Sequence, residues 1–89
     1  MLESQGNDVK ITLSTTENFI SKNKITDLEL LLASKGFIRI HRSFMINTEF
    51  VTAFNNHEIH LGTYKIPVGR SYRQKFENFI STFSKNRLL

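Results

Sequence analysis

The 89 residues include no cysteine, no tryptophan and a single proline. Without thiols, neither a disulfide framework nor a thiolate metal site supplements packing, and the chain suits a reducing compartment. No apolar run approaches the roughly 18–20 residues of a membrane-spanning helix. The opening Met1-Leu2-Glu3-Ser4 lacks the basic and apolar regions of a signal peptide. These absences predict a soluble, cytoplasmic chain. Catalytic signatures are missing as well. There is no G-x-S-x-G, no glycine loop to cradle phosphates and no H-E-x-x-H. The acidic residues stand singly, which argues against a carboxylate pair. Ser43 follows His41 and Arg42, but nothing marks an acid to orient the histidine. His57-Glu58-Ile59-His60 has H-x-x-H spacing, yet on a strand residues three apart face opposite sides, so the imidazoles do not converge. No catalytic residue, metal or cofactor is expected, and the chain is not read as an enzyme.

What is present is a small core. A chain of this length buries roughly 60–65% of its unfolded surface. Eight phenylalanines, with the isoleucines and leucines, must supply the packing of one domain spanning residues 1–89. Residues 3–8 are turn formers. Residues 9–14 alternate apolar and polar, a half-buried strand. After a turn at 15–18, residues 19–22 form a second strand and a hairpin. Thr26-Asp27-Leu28-Glu29 reads as a capping box opening a short helix. Leu28, Leu31 and Leu32 lie on one face of it and Gly36 stops it. Residues 49–54 and 58–61 read as strands around Asn55-Asn56-His57. Residues 64–68 form another, which Pro67 ends or confines to an edge. Ser71-Tyr72-Arg73-Gln74 is a second capping box. Tyr72, Phe76, Phe79, Ile80 and Phe83 then follow one helical face, ending near Ser84. The fold class is mainly β with minor α: short antiparallel strands, one short central helix and a C-terminal amphipathic helix.

Acidic charge is scarce where basic charge gathers. Residues 1–35 carry Lys10, Lys22, Lys24 and Lys35 against five acids, a balance of −1. Residues 36–75 carry Arg39, Arg42, Lys65, Arg70, Arg73 and Lys75 against Glu49 and Glu58, a balance of +4. This excess is rich in arginine, whose planar fork fits phosphates and guanine edges. Two segments offer what a nucleic-acid reader needs, cations for phosphates and rigid donors for bases. One is Arg39-Ile40-His41-Arg42-Ser43. The other is Gly69-Arg70-Ser71-Tyr72-Arg73, where a helix start adds free amides. Arg42 or Arg70 is suited to bridge O6 and N7 of a guanine. The plainer reading is surface arginines paired with Glu49, Glu58 or Glu77; two such segments flanking a hairpin favour nucleic acid.

The run Phe37-Ile38-Arg39-Ile40-His41-Arg42-Ser43-Phe44-Met45-Ile46-Asn47, followed by Ile66-Pro67-Val68-Gly69-Arg70-Ser71-Tyr72, closely resembles the signature of the LytTR DNA-binding domain. The upstream Glu3-Ser4-Gln5-Gly6-Asn7-Asp8-Val9-Lys10-Ile11 and the helix around Leu28 and Leu32 match it in order. The resemblance spans essentially the whole chain, and the F-x-R-x-H-R-S-x-x-x-N run is its specific part. It implies small stacked sheets, little helix, and double-stranded DNA contacted by three loops entering successive major grooves. It also implies the output domain of a bacterial response regulator in a two-component system controlling transcription. By position, Asn7 and Asp8 are base-contacting in the first loop and Lys10 touches a phosphate. Arg42 holds a base-reading position in the second loop, with Arg39, His41 and Ser43 on the backbone. Arg70 holds the other base-reading position in the third, with Ser71, Tyr72, Arg73 and Lys75 on the backbone.

Members usually carry a further strand pair before the Glu3 motif. The chain therefore resembles a domain trimmed at its front, with an exposed sheet edge that favours self-association or strand exchange. A homodimer on repeated half-sites is the expected DNA-bound form. The competing reading is a small basic β module that binds a protein or acidic peptide, or RNA. Tyr64 and Tyr72 are too few for a stacking platform, which counts against RNA.

Overall fold

The computed structural model describes residues 1–13 and 17–80. Of the turn formers at 3–8, only Gly6 and Asn7 stay in a turn. Leu2–Gln5 is strand β1 and Asp8–Thr12 is strand β2, joined through Gly6 at φ 66°. Leu2 and Val9 are buried, so pairing and burial override the weak strand propensity of Glu-Ser-Gln. Strand β3 (Asn18–Ser21) pairs with β2. Of the turn expected at 15–18, residues 15 and 16 lie outside the described residues, and Asn18 belongs to β3.

Helix α1 (Ile25–Leu32) starts one residue before the expected cap. Lys24 is the N-cap, and no side-chain cap bond forms. The capping box at Thr26 is therefore absent, because Glu29 bonds to Arg39 instead. Ile25 and Leu28 make the buried face, whereas Leu31 is 66% exposed. A 3₁₀ turn (Ala33–Lys35) extends α1, and Gly36 ends it at φ 86°. That left-handed conformation is one glycine adopts without a Cβ penalty.

Strand β4 (Phe37–His41) and strand β5 (Phe44–Asn47) form the next hairpin, with a register shift between Arg39 and His41. Instead of a strand, Thr48–Phe50 is a 3₁₀ turn, with Asn47 Oδ1 accepting from the Glu49 amide. Strand β6 (Ala53–Phe54), strand β7 (Glu58–Leu61) and strand β8 (Tyr64–Pro67) complete the sheets. A 3₁₀ turn (Arg70–Tyr72) then leads into helix α2 (Arg73–Ile80). The second capping box does not form either: Ser71 lies inside the 3₁₀ turn, whose N-cap is Gly69, and Gln74 Nε2 donates to Asn78 Oδ1. Phe83 and the expected helix end near Ser84 lie outside the described residues.

The five-stranded antiparallel sheet runs β3-β2-β1-β5-β4, and the three-stranded sheet runs β6-β7-β8. Pro67 lies in an outer strand of the smaller sheet, where its missing N–H is tolerated. One core lies between α1 and the larger sheet: Leu2, Val9, Ile25, Leu28 and Met45. The second joins β4 and β5 to the smaller sheet and α2, and includes Ile40, Ile46, Phe54, Ile59, Ile66 and Phe76. Phe54 and Phe76 meet edge-on at 5.9 Å. The fold is mainly β with two short helices, as the residue pattern indicates. Strand β1, which opens the chain, lies between β2 and β5. The outer strands of that sheet are β3 and β4, so β1 presents no free edge.

Candidate nucleic-acid interface

Three turns come together at one end of the larger sheet. β1 and β5 are antiparallel with Glu3 opposite Phe44. The end of β1 therefore lies beside the start of β5, and the Ser4 amide donates to the Ser43 carbonyl at 2.8 Å. This places the turn at Gly6 and Asn7 next to His41, Arg42 and Ser43. The third segment joins from the other side. The Gly69 amide donates to the Ile40 carbonyl at 2.7 Å, where the register shift interrupts β4. A Cβ built on Gly69 would lie 3.2 Å from Tyr72 and 3.4 Å from His41, so the absence of a side chain permits the approach. The apolar hollow lined by Leu2, Leu13, Phe37, Phe50, Leu61 and Tyr64 opens at the opposite end of these strands and takes no part in this cluster.

Arg42 and Arg70 are exposed. Neither guanidinium makes a hydrogen bond or ion pair among the described residues, and the plainer pairing with Glu49, Glu58 or Glu77 is not seen. Glu58 instead meets His60 at 3.1 Å, and Glu77 accepts from Asn56 at 3.2 Å. His57 and His60 form no group able to hold a metal, and no such group occurs among the described residues. Asn7 is exposed at the tip of its turn, and Asp8 lies 3.5 Å from the exposed Lys22. Lys10 is half-buried on β2. Ser71 is exposed, Tyr72 and Arg73 are half-buried, and the Nε of Arg73 is buried without a partner. Lys75 reaches Glu29 at 3.6 Å.

Arg39 is placed differently from its expected position on the DNA backbone. It is 6% exposed. Its Nε donates to the His41 carbonyl at 2.8 Å, its Nη2 to the Arg42 carbonyl, and its Nη1 to Glu29 at 3.1 Å. These partners enclose the guanidinium. Its face lies over the Tyr72 ring, 5.7 Å from the centroid, a cation–π arrangement. In His41, Nδ1 lies 3.0 Å from the Ser43 amide. A backbone N–H only donates, so Nδ1 accepts and carries no proton, and the ring proton is on Nε2. The ring also packs against Phe44 at 5.3 Å. Glu29 and Gly69 were not among the expected site residues. In the sequence, Glu29 reads as half of a capping box, and Gly69 as the first residue of the second arginine-bearing segment without a contact of its own.

The two-sheet scaffold agrees with comparison to known proteins. The family model described as the LytTr DNA-binding domain matches residues 1–81. The chain belongs to the LytTR DNA-binding domain family. Among solved structures, a LytTr DNA-binding domain assigned to a response regulator of Bacillus cereus matches at 24% identity. Its TM-score is 0.78, over 89% of this chain and 77% of that one. That likeness is one of fold. No match is found among curated proteins. The LytTR family is one of non-catalytic DNA-binding domains, so this chain binds DNA rather than catalysing a reaction. No helix among its described residues is long and apolar enough to cross a membrane.

Proposed function

We infer that this LytTR domain reads double-stranded DNA sequence through the three clustered turns, as the cytoplasmic output domain of a bacterial two-component regulator. The carrying observation is that Arg42 and Arg70 stand exposed and without protein partners among the described residues, on turns that a backbone hydrogen bond ties together. Each guanidinium suits the O6 and N7 of a guanine. Asn7 and Asp8 supply the base contacts of the first turn, Asn7 to adenine and Asp8 as acceptor from an exocyclic amine. Lys10, His41, Ser43, Ser71, Tyr72, Arg73 and Lys75 contact phosphates and sugars, with the Nε2–H of His41 as a donor. Arg39 takes no place among these contacts.

Two copies on repeated half-sites form the working complex, because one small module buries limited surface. The outer strand β3, where Phe19 and Ile20 are exposed, is the edge through which copies associate. Selection of bound duplexes from a random-sequence library tests the reading. A repeated, enriched element is expected. Binding that is steeply salt-dependent but blind to sequence would contradict it and favour an acidic peptide or protein partner.

A further inference from the structure

We propose that Arg39, anchored by Glu29, is the positioning residue of the 41–43 turn, fixing the geometry from which Arg42 reads its base. The proposal rests on the base-reading role assigned to Arg42 above. A guanidinium is a rigid planar fork of five donors. Two of its nitrogens hold the carbonyls of His41 and Arg42, so one rigid group fixes two peptide planes of the same turn. Nη1 bonds Glu29 of α1, and the face of the group rests on Tyr72 beside Arg70. The turn, the central helix and the third segment are thereby referenced to a single buried side chain. Next to it, the Ser43 amide meets His41 Nδ1, which fixes the ring tautomer. A buried cation needs a counter-charge. Glu29 supplies it, and its other oxygen holds Lys75 of α2 at 3.6 Å.

A lysine cannot reproduce this arrangement, because its tetrahedral head has no planar fork. The test compares the whole chain with its Arg39→Lys, Glu29→Gln, Arg42→Ala and Arg39→Lys/Arg42→Ala variants. Library selection gives discrimination at each base position, titration at several salt concentrations gives the salt slope, and the ¹⁵N signals of the His41 ring give its tautomer. Arg39→Lys should reduce discrimination at the base read by Arg42 by roughly 5- to 100-fold, the range of one bidentate contact. The salt slope should stay unchanged, and the single-tautomer signature should be lost. In the double variant, discrimination at that base should be no worse than in Arg42→Ala alone.

Additive losses at that base would overturn the proposal. So would full discrimination in folded Arg39→Lys. A loss in Arg39→Lys that is uniform over all sequences, with no base position singled out, would make Arg39 a phosphate contact instead. If Arg39→Lys does not fold, Glu29→Gln decides. It leaves both carbonyl bonds and removes the counter-charge, and should weaken discrimination at the same base by a smaller factor. No change there in discrimination or ring signals would refute the anchoring. If Arg42→Ala leaves every base position unchanged, the base-reading assignment itself fails. The ring tautomer in Arg39→Lys would still show whether Arg39 sets the turn, and an unchanged tautomer would overturn that as well.

Discussion

At the scale of single residues, two arginines three positions apart have opposite roles. Arg39 is interior and Arg42 is exposed. Arg39 lies within β4 and faces inward, whereas Arg42 lies on the turn beyond the end of that strand, after the register shift that interrupts it. Arg42→Ala and Arg70→Ala should each lose about 1–3 kcal/mol of discrimination at one base position and leave the others intact. Competition titrations against duplexes substituted at single positions measure this. Lys75→Ala should instead weaken all sequences alike and lower the salt slope by about one. A loss restricted to one position would contradict a phosphate role for Lys75. Gly69→Ala should destabilise the domain by about 1 kcal/mol or more, because the new methyl presses on Tyr72 and on the His41 backbone. Urea unfolding gives the value, and an unchanged midpoint would show that the two segments separate freely.

Helices and strands show where local pattern yields to packing. In α1, sequence spacing groups Leu28 with Leu31 and Leu32. The helix begins at Ile25, and its rotation against the sheet buries Ile25 and Leu28 but leaves Leu31 outside. Leu28→Ala should therefore cost about 2–5 kcal/mol, whereas Leu31→Ala should stay within about 0.5 kcal/mol. Equal losses in chemical denaturation would mean that α1 packs with a different face. Both expected capping boxes fail, for different reasons. Glu29 finds Arg39 instead of the helix start, and Ser71 lies inside a 3₁₀ turn capped at Gly69. A capping box is a local option, and a buried guanidinium in need of a counter-charge competes strongly with it.

For the molecule as a whole, the net charge of +4 and the basic excess in residues 36–75 favour DNA at any sequence. On the proposed reading, the turns at the end of the larger sheet add selectivity. The same sheet carries an outer strand, β3, with apolar residues exposed. Ile20→Lys should reduce concentration-dependent association in analytical ultracentrifugation while leaving the affinity of a single half-site unchanged. A parent chain that sediments as a monodisperse monomer at high concentration would remove this interface.

The sequence by itself determined the mainly β class, the approximate order of the elements, the lack of catalytic parts and the arginine-bearing segments. Each of these depends on local periodicity, turn chemistry or composition. The tertiary structure decided which side chains share a site. Leu2 and Val9 became core because β1 pairs on both sides, and Gly69 mattered because another strand's His41 lies against it. Arg39 left the surface because two carbonyls, a carboxylate and a ring from separate segments enclose it. Such partners are set by long-range packing, and no local pattern encodes them.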